Sequence, residues 1–198
     1  MRKINWFGLT AGILTLIVLA VSLYSPWWQL TVGDNLMKVN ASPVNTNFGL
    51  MGEQFTIPLI WALNISSILS FTASGIIMLF YSLAPTKSYS KHLLGFSYKK
   101  PLYSLITFVA GLLVITSIAG LFGLNIPLIG SATLMLPSQF TMGIGINALV
   151  SGKFLLPFWI GIGAAILCLA ARLYHMRITQ EPQTAPTNTT APKPEKKD

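Results

Sequence analysis

No Asp, Glu, Lys or Arg stands between Lys3 and Asp34, between Glu53 and Lys87, between Lys100 and Lys153, or between Lys153 and Arg172. Each of these four gaps holds an apolar run of the length a membrane-crossing helix needs. A hydrocarbon core of about 30 Å takes roughly 20 helical residues. The runs place spans at residues 6–25, 57–82, 102–124 and 155–174. The first run is longer than the roughly 7–15 apolar residues of a cleaved signal peptide, so it reads as a retained helix. Only 9% of the chain is charged and 53% is hydrophobic, against roughly 25% charged in a soluble domain. A soluble fold has no way to hide that much apolar surface.

Orientation follows from the basic residues, because Lys and Arg accumulate in cytoplasmic loops. Arg2 and Lys3 precede span 1, Lys87, Lys91, Lys99 and Lys100 lie between spans 2 and 3, and Arg172, Arg177, Lys193, Lys196 and Lys197 follow span 4. That puts eleven of the 13 basic residues on one side. Lys38 and Lys153 fall on the other, where Asp34 and Glu53 balance them. Both termini are therefore expected in the cytoplasm of a multi-pass protein of the cell membrane. The +8 formal charge reads as topogenic, with no nucleic acid implied. Tryptophan favours the headgroup level, which puts Trp6 at the inner boundary and Trp27, Trp28, Trp61 and Trp159 at the outer one. Pro58, Pro101 and Pro157 fall near helix starts, where a missing N–H costs little.

The expected fold class is all-α membrane, a four-transmembrane-helix bundle with a small extracytoplasmic β-sheet. Residues 1–177 form the membrane domain, with outer loops 26–56 and 125–154. Small residues recur at helical spacing at Gly8 and Gly12, Ser66, Ser70 and Ser74, Ala119 and Gly123, and Gly161 and Ala165, as on faces where helix backbones approach. Asn64, the one strongly polar side chain deep in a span, is expected to hydrogen-bond across helices. In the first outer loop, alternation on either side of Gly33-Asp34-Asn35 signals a hairpin, and a further strand is expected at residues 48–51. In the second, residues 131–136 either pair with residues 145–150 or dip into the interface. Residues 87–100 interleave Lys with Tyr89, Leu93, Leu94, Phe96 and Tyr98, which suits a strip lying on anionic lipid. The Pro- and Thr-rich residues 178–198 read as a disordered cytoplasmic tail.

Little in the chain carries chemistry. Ionisable groups within a bilayer are costly and mark pumps, carriers and quinone enzymes, and the spans contain none. Cys168 is the single cysteine, so neither an internal disulfide nor a cysteine-based metal site is available. His92 and His175 sit at helix ends without a second ligand type at metal spacing. There are no paired carboxylates, no phosphate-binding glycine loop and no serine with a histidine base. The expectation is a non-enzyme with no catalytic residue, cofactor, metal or small-molecule substrate.

The first outer loop resembles that of claudins and related tetraspan junction proteins. Their pattern is four spans with cytoplasmic ends, then a Trp shortly after span 1, followed by Gly-Leu-Trp and two cysteines. Here Pro26-Trp27-Trp28 follows span 1 and Phe48-Gly49-Leu50-Met51 comes later, so Trp28, Gly49 and Leu50 match. Met51 replaces the last Trp, both cysteines are absent and the loop is shorter. The resemblance implies a left-handed bundle capped by a small sheet, with Trp28 seated at the bundle top beside Gly49 and Leu50 as the outer-loop anchor. It also implies lateral or cell-to-cell association.

The functional expectation is therefore structural or protein–protein association through the outer loops and helix faces, with a protein partner or a second copy of the chain. The alternatives are an accessory subunit of a larger membrane transport or respiratory complex, or an oligomeric pore. Trp27, Phe48, Phe140 and Met142 form the candidate interaction surface, since exposed apolar patches mark interaction sites. Asn40, in Asn40-Ala41-Ser42, is a candidate glycosylation site.

Overall fold

A computed structural model describes residues 4–33, 36–135 and 147–180. Four helical stretches in it are long and apolar enough to cross a membrane. They are α1 (Trp6–Tyr24), α2 (Pro58–Leu83), the run formed by α3 (Ser90–Ser97) with α4 (Lys99–Leu121), and α5 (Leu156–Gln180). Pro58 opens α2, where its fixed φ suits the first turn. α1 packs along both α2 and α5. Glycines make the α1–α2 seam close: a Cβ on Gly8 would lie 2.5 Å from Ser82 Oγ, and one on Gly12 would lie 3.1 Å from the Gly75 carbonyl oxygen. Ser74, Ala165 and Ala171 are buried with them. Ser66 and Ser70, by contrast, line a groove between α2 and α4, and Gly123 faces open space.

Residues 87–100 do not lie flat as a strip. Within them α3 turns inward and packs Leu94, with Tyr98 just beyond it, among Ala11, Met78, Tyr81, Cys168 and Ala171. Ser74 Oγ donates to the Ser97 carbonyl at 2.6 Å, and Ser97 Oγ reaches Met78 Sδ at 3.2 Å. Its apolar residues repeat at helical spacing, so one face can be buried while the lysines stay wet.

The opposite end carries the main departure from the expected fold class. Six strands form one antiparallel sheet, so the architecture is mixed α/β rather than an all-α bundle with a minor appendage. The strands are β1 (Trp28–Val32), β2 (Met37–Ala41), β3 (Asn47–Leu50), β4 (Glu53–Phe55), β5 (Gly130–Met135) and β6 (Asn147–Phe154). Their spatial order is β4-β3-β2-β1-β6-β5. β1 is central. It pairs with β2 on one side, Leu30 opposite Val39, and with β6 on the other, Leu30 opposite Gly152. Both inter-helical segments thus contribute to one sheet, because pairing β1 with β6 satisfies backbone groups that two separate hairpins would leave open. Of the two readings left open for the second segment, strand pairing is the one adopted: β5 joins β6 with Thr133 opposite Leu149.

Trp27 sits beneath the sheet and is 1% exposed, so it is a core residue rather than part of an interfacial belt. Its ring meets Phe71, Phe108 and Phe158 edge-on, and its Nε1 donates to Ser22 Oγ at 2.7 Å. A Cβ on Gly161 would come within 3.3 Å of the indole, so the glycine makes room for the ring. Trp6, Trp61 and Trp159 are exposed, as belt residues are. Asn64 donates to the Thr46 carbonyl at 3.3 Å, so it ties α2 to the β2–β3 connection and not to another helix.

Candidate functional site

Trp28 is the joint between sheet and helices. It opens β1, and alternation along the strand sends its side chain to the face that also buries Leu30. The indole lies with Leu30, Leu112 of α4 and Val150 of β6 in one cluster, and its Nε1 donates to the Leu128 carbonyl at 2.8 Å. A buried Trp needs such an acceptor. The segment supplying it is held from the other side by Gly152, where a Cβ would lie only 2.1 Å from the Pro127 carbonyl oxygen. Gly49 and Leu50, expected beside Trp28, stand on β3, two strands away, and Leu50 is half exposed.

Of the candidate interaction surface, Trp27 is enclosed as described. Phe48 is partly buried and stacks on Phe55 with ring centroids 5.8 Å apart. Phe140 and Met142 lie outside the described residues, as do Asp34 and Asn35 of the expected turn and the tail from residue 181. Asn40 is 9% exposed. Its Oδ1 accepts from Gln29 Nε2 at 2.8 Å, and the nitrogen a glycan would occupy donates to Asn47 Oδ1 at 2.8 Å. Asn47 continues to Asn45, which donates to the Leu23 carbonyl at the end of α1. This chain of amides runs across three strands and down to the helices.

The apolar side chains that the sheet does expose are different ones. Leu36, Met37, Leu50 and Met51 gather at one tip, where Met37 pairs with Leu50 and the Met51 N–H donates to the Leu36 carbonyl at 2.8 Å. Met51 and Gly52 form the two-residue β3–β4 turn, both with positive φ, 51° and 92°. That is the backbone sense hairpins favour. Glycine and asparagine adopt it readily, whereas a side chain such as methionine's costs about 1 kcal/mol there. Met51 nonetheless stands 79% exposed. Neither its conformation nor its exposure is legible from the sequence, where Met51 stands out only as a departure from the claudin pattern.

Among the described residues no group of three His, Cys, Asp or Glu side chains is placed to hold a metal ion. Glu53 is the only carboxylate among them. The described residues form a mixed α/β protein with four candidate membrane-crossing helices and a six-stranded antiparallel sheet. A scan against protein-family models and a search of curated proteins find no match to the chain.

Proposed function

We propose that this chain is a non-enzymatic multi-pass protein of the cell membrane that works by association, through the sheet tip around Met51 and the bare face of α4. Both termini lie in the cytoplasm in this reading, which the one-sided distribution of Lys and Arg supports. The observation that carries it is Met51, an apolar side chain kept exposed in a backbone conformation that penalises it. Local strain of this kind concentrates at functional sites. Three further exposed apolar residues surround it, and β4 beside it is an open sheet edge. Kinship with claudin-like proteins belongs to the same proposal. It draws support from the four consecutive strands of the first loop and from the burial of Trp28 at their base.

A second reading, an accessory subunit of a larger membrane complex, is favoured by α4. Only Pro101 and Leu112 are buried along that helix, which leaves most of an apolar span for lipid or another membrane protein to cover. Cross-linking in native membranes tests the association. Met51→Asn with Leu50→Ser is expected to abolish a cross-linked species while the purified variant melts no lower than wild type, since Asn tolerates positive φ. Unchanged cross-linking removes the tip from the reading. A wild-type protein that stays monomeric, captures no partner and conducts a solute fails the association reading altogether, and a pore takes its place.

A further inference from the structure

At the end of the helices opposite the sheet, α3 walls a cavity of about 690 Å³. Lys87, Lys91, Lys99 and Arg172 line it, together with Tyr98. Among the described residues the one carboxylate, Glu53, is on β4 at the sheet end, so no described carboxylate stands beside these four cations. Gathering like charges is unfavourable unless an anion joins them. The cations are also held in place. Arg172 donates to the Tyr98 hydroxyl, and its guanidinium lies over the Tyr98 ring, 4.5 Å from the centroid. Lys91 is on α3 and Lys99 begins α4 just after it; buried Leu94, Ser97 and Tyr98 between them fix both backbones.

A second cavity of about 730 Å³ opens between α2 and α4. It shares Lys91, Gly95 and Lys99 with the first and is lined farther along the helices by Ser66, Ser70, Ser104 and Thr107. The cation cluster therefore stands at the mouth of a hydroxyl-lined groove that follows two candidate membrane-crossing helices. A free anion would use only the mouth. A phospholipid has a phosphate for the cations and, below it, ester oxygens that accept hydrogen bonds from hydroxyls.

We propose that the cavity beside α3 binds the phosphate of an acidic phospholipid through Lys91, Lys99 and Arg172, with the lipid's ester region entering the groove between α2 and α4. The site rests on the membrane reading above. It differs from the lipid strip expected from the sequence, because the exposed lysines here rim a half-open cavity shared with α5 rather than a flat surface.

Native mass spectrometry of the full chain, released from mild detergent after titration with phosphatidylglycerol or phosphatidylcholine of identical acyl chains, tests it. Wild type is expected to retain one phosphatidylglycerol with a preference on the order of tenfold or more. Arg172→Gln and Lys91→Gln should each weaken that retention about fivefold, while Lys153→Gln at the sheet end leaves it unchanged. Gly95→Leu should weaken it without altering charge, because a Cβ at Gly95 meets nothing within 4 Å and the added side chain enters the shared space. Arg172→Lys should keep most of the binding, which separates charge from misfolding. Equal retention of the two lipids, or insensitivity to both Gln variants, overturns the proposal. Displacement of the lipid by inorganic phosphate overturns its lipid half and leaves a free-anion site. A chain that enters bilayers but ignores lipid charge sinks this site alone, whereas one that never enters them sinks the membrane reading as well.

Discussion

Asn5 ends its approach to α1 completely enclosed, with its amide divided among three helices. Its Oδ1 accepts from the Gly8 N–H at 3.1 Å as an N-cap, and its Nδ2 donates to Tyr81 Oη at 2.8 Å and to the Ala171 carbonyl at 3.2 Å. Removing the amide leaves those partners buried without it. Asn5→Ala should therefore destabilise by about 2 kcal/mol, the sum of a lost cap and stranded polar groups, read as a lower melting temperature in detergent. An unchanged melting temperature would show that water replaces the amide. Trp28 tests the sheet end in the same way. Trp28→Ala should cost about 3 kcal/mol from the emptied cluster, far more than Lys153→Ala, and Trp28→Phe should cost about 1 kcal/mol, largely the bond to Leu128. Equal melting of the Trp28→Ala and Lys153→Ala variants would remove the anchor argument. The sequence marked Trp28 through its neighbours, but not Asn5, because a polar residue just before an apolar run reads the same whether it caps in water or in a core. Trp27 leaves the interface for a related reason: its place beside Trp28 signals a belt residue, whereas the small Gly161 that admits its ring stands far along the chain on α5.

At the scale of elements, the apolar runs locate the helices without setting all their ends: α2 (Pro58–Leu83) lies within a residue of the expected 57–82, whereas α5 (Leu156–Gln180) runs past the expected end at 174. Length and charge decide such elements locally. Strands depend on partners, and this is where the reading from sequence stopped short. The hairpin alternation located β1 and β2, yet nothing local to residues 147–154 announces that β6 pairs with β1 across more than a hundred residues. The glycine that permits this packing is Gly152, which faces Leu30 in the ladder and the Pro127 carbonyl on its side-chain face. Gly152→Ala would press a methyl into backbone, so residues 126–128 must move and the Trp28 bond to Leu128 must lengthen. The expected cost is about 2 kcal/mol, with a red shift of Trp emission as the indole meets water. Normal melting and unshifted emission in that variant would mean that the segment can slide aside freely. α3 teaches the same lesson at the other end. Its lysine–aromatic mixture was visible, but its burial required Met78 and Cys168 from distant helices.

For the whole molecule, one sheet built from both inter-helical segments means that those segments must lie on the same side of any membrane the helices cross. In the membrane reading proposed above, four crossings would put the start of α1, the end of α5, the α2–α3 connection and the basic cavity together on the other side. The side that receives them is set in our reading by the eleven basic residues, which favour the cytoplasm. Thiol labelling of sealed cells checks both claims. Cys168 is 1% exposed and is first replaced by Ala to give a silent background. Gln54→Cys on β4 and Ser131→Cys on β5 place exposed thiols at opposite edges of the sheet, and Ser88→Cys places one in the α2–α3 connection. The expected result is labelling of the first two by an impermeant reagent in intact cells, with Ser88→Cys reacting only after the membrane is opened. Reaction at Ser88→Cys alone would invert the protein and move the basic cavity outside. Reaction at only one of the two sheet positions would be more damaging, because strands that pair edge to edge through β1 and β6 have no way to sit on opposite faces of a bilayer.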